Sequence, residues 1–129
     1  MEQSILNSTK KILGIGDDDT SFDLDIITHI NSAFSILNDL GVGPEEGFVI
    51  EDEDTEWDEF LPNEIVRLSK VKTCVFLRTK LLFDPPTSSF LLDSMEKLLQ
   101  EQEWRLSVNR ESKEWVNPDP PPVSENSEP

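Results

Sequence analysis

Leu81-Leu82-Phe83-Asp84-Pro85-Pro86-Thr87-Ser88-Ser89-Phe90 is the stretch that decides the fold. Pro85 and Pro86 lack the N–H that a helix interior needs, and each restricts the residue before it. Thr87, Ser88 and Ser89 then offer hydroxyls that can cap a new helix. Upstream, the spacing predicts a helix over 63–83, with Pro62 near its start and an apolar stripe of Ile65, Leu68, Val71, Val75 and Leu82. Downstream it predicts a helix from about Ser88 to Leu106. Leu91, Met95, Leu98, Gln102 and Leu106 form its face, widened by Leu92 and Leu99. So short a break between two long helices implies antiparallel neighbours.

Working outward, Cys74-Val75-Phe76-Leu77 is apolar without interruption. A helix that is apolar all round is covered on more than one side. Hydrophobic residues make up only 36% of the 129-residue chain, so a small core is expected. The second side of this helix is therefore read as a contact with a neighbouring subunit. Cys74, Val75, Phe76 and Leu77 are the candidate interface residues, together with Trp104, whose place beside Arg105 also suits a capping contact. Nearer the N-terminus, Ile5, Leu6, Thr9, Ile12 and Leu13 predict a helix over 3–13 that stops at Gly14. Ile26, Ile27, Ile30, Ala33, Phe34, Leu37 and Leu40 predict another over 22–40 that ends at Gly41. Phe22, Phe34, Phe76, Phe83 and Phe90 fit helix faces or ends as core residues.

Residues 42–62 read as a long irregular loop, with Gly43-Pro44 as a turn and Phe48-Val49-Ile50 as a possible short strand. Phe48, Ile50, Trp57, Phe60 and Leu61 predict that this loop docks on the helices. The fold class is thus mainly α: a small bundle of about four helices, a long acidic loop between the second and third, and an extended C-terminal tail. Residues 1–108 form the helical domain and 109–129 a Pro-rich acidic tail. Trp115 and Val116, with Pro118 and Pro120, are the tail's natural anchors.

The net charge of −16 is uneven. Residues 1–60 hold 16 acids and 2 bases, whereas residues 61–110 hold 6 acids and 8 bases. Such asymmetry favours head-to-tail contacts between copies, or a partner with a basic face. It argues against gripping nucleic acid, which requires Lys and Arg, but not against letting nucleic acid slide past. The single cysteine, Cys74, permits no intrachain disulfide. There is no apolar run of signal-peptide or membrane-spanning type, so a cytosol-like compartment and no membrane are expected.

Catalytic and metal chemistry finds little support. Asp52-Glu53-Asp54-Thr55-Glu56-Trp57-Asp58 spaces acids like the start of a calcium loop. Trp57 stands where the turn needs glycine, and Asn63 where the bidentate glutamate belongs. Asp17-x-Asp19-x-Ser21 fails in the same way. His29 and Cys74 are the sole histidine and cysteine, with Cys74 inside the most apolar helix, so no nucleophile–base pair is expected. Gly14-x-Gly16 lacks the third glycine of a dinucleotide loop. No enzyme activity, metal or cofactor is expected. A runner-up from another class is an acidic DNA mimic that occupies a host DNA-binding protein.

Leu81 to Phe90, followed by Glu101-x-Glu103-Trp104-Arg105-Leu106, closely resembles the head–tail connector (adaptor, or head-completion) proteins of long-tailed bacteriophages, especially those of Gram-positive hosts. Gly41-Val42-Gly43-Pro44-Glu45-Glu46-Gly47-Phe48, with Trp57-Asp58-Glu59-Phe60-Leu61, looks like the linking loop of the same family. The resemblance covers about residues 3–108. It implies a helical subunit of a dodecameric ring beneath the portal of the filled head, made in the bacterial host cytoplasm and carried in the virion at the head–tail junction. It implies as partners further copies of the chain, the portal protein and a stopper or tail-completion protein, with DNA passing through unbound. Set beside this picture, Glu51, Asp52, Glu53, Asp54, Glu56, Asp58 and Glu59, or Asp17 to Asp19, are expected to face the tunnel or its rim. The tail residues Trp115, Val116, Pro118 and Pro120 are expected to dock on the portal.

Overall fold

Among the described residues the chain folds into five helices: α1 (Ile5–Ile12), α2 (Asp23–Asp39), α3 (Trp57–Phe60), α4 (Ile65–Phe83) and α5 (Ser89–Glu114). The computed structural model describes residues 3–114, with side chains as far as Val108.

The predicted hairpin forms. α4 ends at Phe83, and the Ser88 hydroxyl accepts a hydrogen bond from Leu91 N (3.3 Å) to start α5. The two helices run antiparallel, held in register by Arg78, which donates to Glu103 Oε2 from Nη2 (2.6 Å) and Nε (3.2 Å). α4 lies at the centre of the fold, with α2 on one side and α5 on the other. This changes the reading of its two-sided apolarity. The second side is covered within the chain itself, by α5 and by the Trp57 turn, which leaves Cys74 and Val75 buried.

The expected helix ends hold to within a residue or two, except that α5 continues eight residues past Leu106. Arg110, Glu111, Lys113 and Glu114 are good helix formers, and extending a helix that already exists costs far less than nucleating one. At the end of α2, Gly41 adopts φ +82°, and two backbone bonds close the turn, Gly41 N to Asn38 O (2.9 Å) and Val42 N to Leu37 O (2.9 Å). A residue with a Cβ is strained in that conformation, so glycine stops the helix there.

The long loop docks, as its apolar residues predict. Phe34 of α2 is the centre of an aromatic cluster, with ring centroids 4.6 Å from Phe60, 5.1 Å from Phe48 and 6.3 Å from Trp57. Trp57 stacks edge-on against Phe76 of α4 at 5.6 Å. Phe48-Val49-Ile50 forms no strand. The backbone of Ile50 is instead paired by one side chain: Asn31 accepts from Ile50 N (2.8 Å) and donates to Ile50 O (3.0 Å). Gly43 has φ +91°, and a Cβ there would overlap the Phe60 ring. We expect Gly43→Ala to cost about 1–3 kcal/mol. A urea midpoint unchanged from the parent would show that the ring moves aside freely.

One side of α1 departs from the sequence reading. Ile12 points outward, while Thr9 and Lys10 are buried. Thr9 Oγ1 is satisfied by donating to Ile5 O (2.8 Å). Lys10 Nζ reaches Asp23 Oδ1 (2.9 Å) and Asp17 O (3.2 Å), tying α1 to the first turn of α2. On α4, Thr79 is fully buried and its hydroxyl has no partner among the described residues. A buried unsatisfied hydroxyl costs stability, so Thr79→Val should raise the unfolding free energy by about 1 kcal/mol in a denaturant titration. A loss of stability would mean that the hydroxyl is bonded in solution.

Candidate functional site

The acidic loop is built by sorting its side chains. Ile50, Trp57, Phe60 and Leu61 turn inward and are buried. Glu51, Asp52, Glu53, Asp54, Glu56, Asp58 and Glu59 are all exposed. Apolar anchoring thus displays the acids by exclusion. The loop is also tied through its backbone: Ile5 N donates to Thr55 O (3.0 Å) and Trp57 N to Gln3 O (3.1 Å), with an isolated bridge between Ser4 and Glu56. The Trp57 indole N–H donates to Ser8 Oγ (2.8 Å), and the Lys72 ammonium lies 5.7 Å from the centroid of the same ring. α3 is a single turn that the charge run concealed. Glu59 Oε2 reaches back to Glu56 N (2.8 Å), so an acid at the third position caps the turn.

The second acidic stretch sits at the opposite end of α1. Asp17, Asp18 and Asp19 are exposed in the turn after it. Eight helical residues span about 12 Å, so α1 sets the two acidic stretches roughly that far apart. None of the six ion pairs among the described residues involves residues 51–59 or 17–19. Lys10 acts on Asp19 from a distance, but among the described residues no side chain forms an ion pair with the acids of either stretch.

These carboxylates do not converge on a metal site. Asp52 Oδ1 accepts from Asp54 N (2.9 Å), and Asp19 Oδ1 accepts from Ser21 N (3.1 Å), so each serves its own turn. The bond from the Ser21 backbone, with its hydroxyl adding to the effect, holds the Asp19 carboxyl below its ordinary value. Among the described residues no group of three or more His, Cys, Asp or Glu side chains could hold a metal ion. His29 is half-buried and packs against Phe83, ring centroids 6.4 Å apart.

Cys74 is buried, and burial, with the Glu103 charge adding to it, pushes its thiol from 9.0 up to about 12. It is therefore a poor nucleophile. Below pH 9 the thiol is protonated in both folded and unfolded chains. Between pH 9 and about 12 only the unfolded chain ionises, so stability falls as pH rises through that window. We expect a disulfide reagent at pH 8 to titrate no thiol in the native protein and one after denaturation. A rapid reaction in the native state would contradict the burial.

The interface candidates divide. Cys74 and Val75 are buried in the chain's own core, and Phe76 and Leu77 are half-buried, while Trp104 is 65% exposed. Trp115, Val116, Pro118 and Pro120 lie outside the described residues. What the sequence reading missed is a second apolar surface on the hairpin. Phe90 (81%), Leu91 (49%) and Leu98 (43%) are exposed, although the period groups the two leucines with the core. The signal was the breadth of the face on α5, which is wider than one neighbouring helix can cover. Phe22 is also partly exposed, edge-on to Phe83 at 5.5 Å.

No described helix is long and apolar enough to cross a membrane. Nothing among curated proteins or solved structures matches the chain. A family model described as phage connector protein matches residues 5–113, which takes in every described helix but the last residue of α5. That match, over most of the chain, shows that the chain belongs to the phage connector protein family, structural proteins of the virion that join head and tail components.

Proposed function

We propose that the chain is a subunit of an oligomeric ring at the head–tail junction, where it joins the portal to the stopper and tail and extends the DNA tunnel. A dodecamer is the stoichiometry that the family resemblance implies. The observation that carries this reading is the rigidly docked loop with seven exposed, unpaired acids. A wall of fixed negative charge repels phosphates, so a duplex passes without adhering. Glu51, Asp52, Glu53, Asp54, Glu56, Asp58 and Glu59 line the tunnel or its rim in this proposal. Trp115, Val116, Pro118 and Pro120 hold the portal, with 1–108 as the ring-forming domain and the tail as the clamp. The role is structural, without catalysis.

The test is to mix the full-length chain with purified portal protein and image the complex by electron microscopy. A ring of this chain on the portal, with residues 51–59 near the axis, is the expected result. A ring with those residues on its outer wall would overturn the tunnel assignment. No ring, together with a salt-sensitive complex with a basic host protein, would favour the DNA-mimic alternative. A chain ending at Asn109 that binds portal undiminished would remove the clamp role from the tail.

A further inference from the structure

The α4–α5 hairpin carries two apolar features on opposite flanks. One is the ridge of Leu91 and Leu98, exposed although α5 buries Leu99 and Leu106 against α4. The other is a cleft of about 290 Å³ between the two helices, lined by Leu81, Leu82, Leu92 and Leu99 together with the polar side chains of Arg78, Glu96 and Gln100. Successive residues of a helix are about 100° apart. Leu98 and Gln100 therefore lie on either side of the buried Leu99, and ridge and cleft face different ways. Among the described residues α5 has no comparable neighbour besides α4, and Leu91 and Leu98 stay exposed.

We infer that the Leu91–Leu98 ridge of one copy seats in the α4–α5 leucine cleft of the next copy, a head-to-tail contact that repeats around the ring. The inference rests on the ring reading above and names the surfaces that would join its subunits. Charge favours a second copy as the occupant. Copies of net charge −16 repel one another over most of their surface, but residues 61–110, with 6 acids and 8 bases, do not. The hairpin is where two copies can approach without like-charge repulsion. The edges carry opposite charges: Arg105, seven residues beyond Leu98, shares the ridge side of α5 and holds the exposed Glu101 at 2.7 Å, while Glu96, which is in no ion pair among the described residues, stands at the cleft. Complementary features at separate places on one molecule produce head-to-tail assembly, which closes into a ring when the rotation allows.

The experiment uses full-length Leu98→Cys and Gln100→Cys variants, each assembled on portal protein and treated with a short bis-maleimide. Buried Cys74 stays silent in this background. Cross-linked dimers are expected only when the two variants are mixed. Dimers from Leu98→Cys alone would mean a two-fold ridge-to-ridge contact and overturn the inference. Rings that form without any cross-link would overturn it too, leaving the ring reading intact, and point to another occupant such as the C-terminal segment. If no ring forms on portal, the ring reading fails first. Leu98→Glu supplies the second measurement. It should reduce ring formation at least tenfold while its circular dichroism melt stays that of the parent, because Leu98 is already exposed. Undiminished rings from this variant would also overturn the inference.

Discussion

Trp57→Ala is expected to cost about 3–5 kcal/mol of folding stability, the largest effect of any single substitution proposed for this chain. Trp57 is fully buried although it lies in the most acidic stretch of the sequence. It touches three helices at once. The ring packs edge-on to Phe76 of α4 and Phe34 of α2, and the indole N–H donates to Ser8 of α1. Its removal leaves a large cavity, an unmatched Ser8 hydroxyl and a loop without its principal anchor. Trp57→Phe keeps most of the apolar contact and loses the hydrogen bond, so it should cost nearer 1–2 kcal/mol. Guanidinium titrations of the two variants separate the contributions. A loss below about 1 kcal/mol for the alanine variant would show that the loop is held elsewhere. The functional consequence follows from the same contacts: a released loop no longer presents Glu51 to Glu59 as a fixed surface.

Asp23→Ala is the second large effect, expected near 3 kcal/mol. It leaves the Lys10 ammonium buried with the Asp17 carbonyl as its hydrogen-bond partner and only the more distant Asp19 carboxylate as a counter-charge. Removing one partner of a buried ion pair costs about 3–5 kcal/mol, and the lower end applies because the Asp23 side chain keeps 25% of its exposure. Lys10→Met nearly preserves the buried volume and leaves Asp23 as the unpaired partner, but that carboxylate keeps 25% exposure and sits in the first turn of α2, where the helix dipole favours an anion, so the variant should cost distinctly less. The order of the two variants in a urea titration is the informative result. If Lys10→Met is the more damaging, the pair contributes net attraction rather than merely avoiding an unpaired charge.

Much of the architecture is legible in the sequence because it rests on local rules. The proline pair after Phe83, the hydroxyls that follow it, and the glycines after Leu13 and Leu40 fix where helices stop and start. Their effect depends on backbone geometry within a few residues, so no knowledge of distant contacts is needed. The docking of residues 48–61 is legible for a different reason. Aromatic residues in an acidic run have to be buried somewhere. Other features were hidden for equally physical reasons. α3 is one turn, too short for any periodicity, and its capping acids look like the rest of the charge run. Lys10 reads as solvent-facing until Asp23 and the Asp17 carbonyl, both beyond a turn, come round to meet it.

The sequence by itself determined a mainly helical chain, the hairpin, the anchoring of the acidic loop and the family, because caps, prolines and apolar periods act locally. Only the tertiary structure decided which apolar face meets which neighbour. Periodicity states that Cys74 to Leu77 needs covering on two sides, and that α5 has a wide apolar face, but it carries no information about the source of the cover. The fold places α2 and α5 on either side of α4 and so buries Cys74 and Val75 within one chain, while Ile65, Val66 and Leu82 of the same helix stay exposed. Among the described helices it gives α5 only α4 as a substantial neighbour and leaves Leu91 and Leu98 exposed, because one helix is too narrow to cover a face that wide.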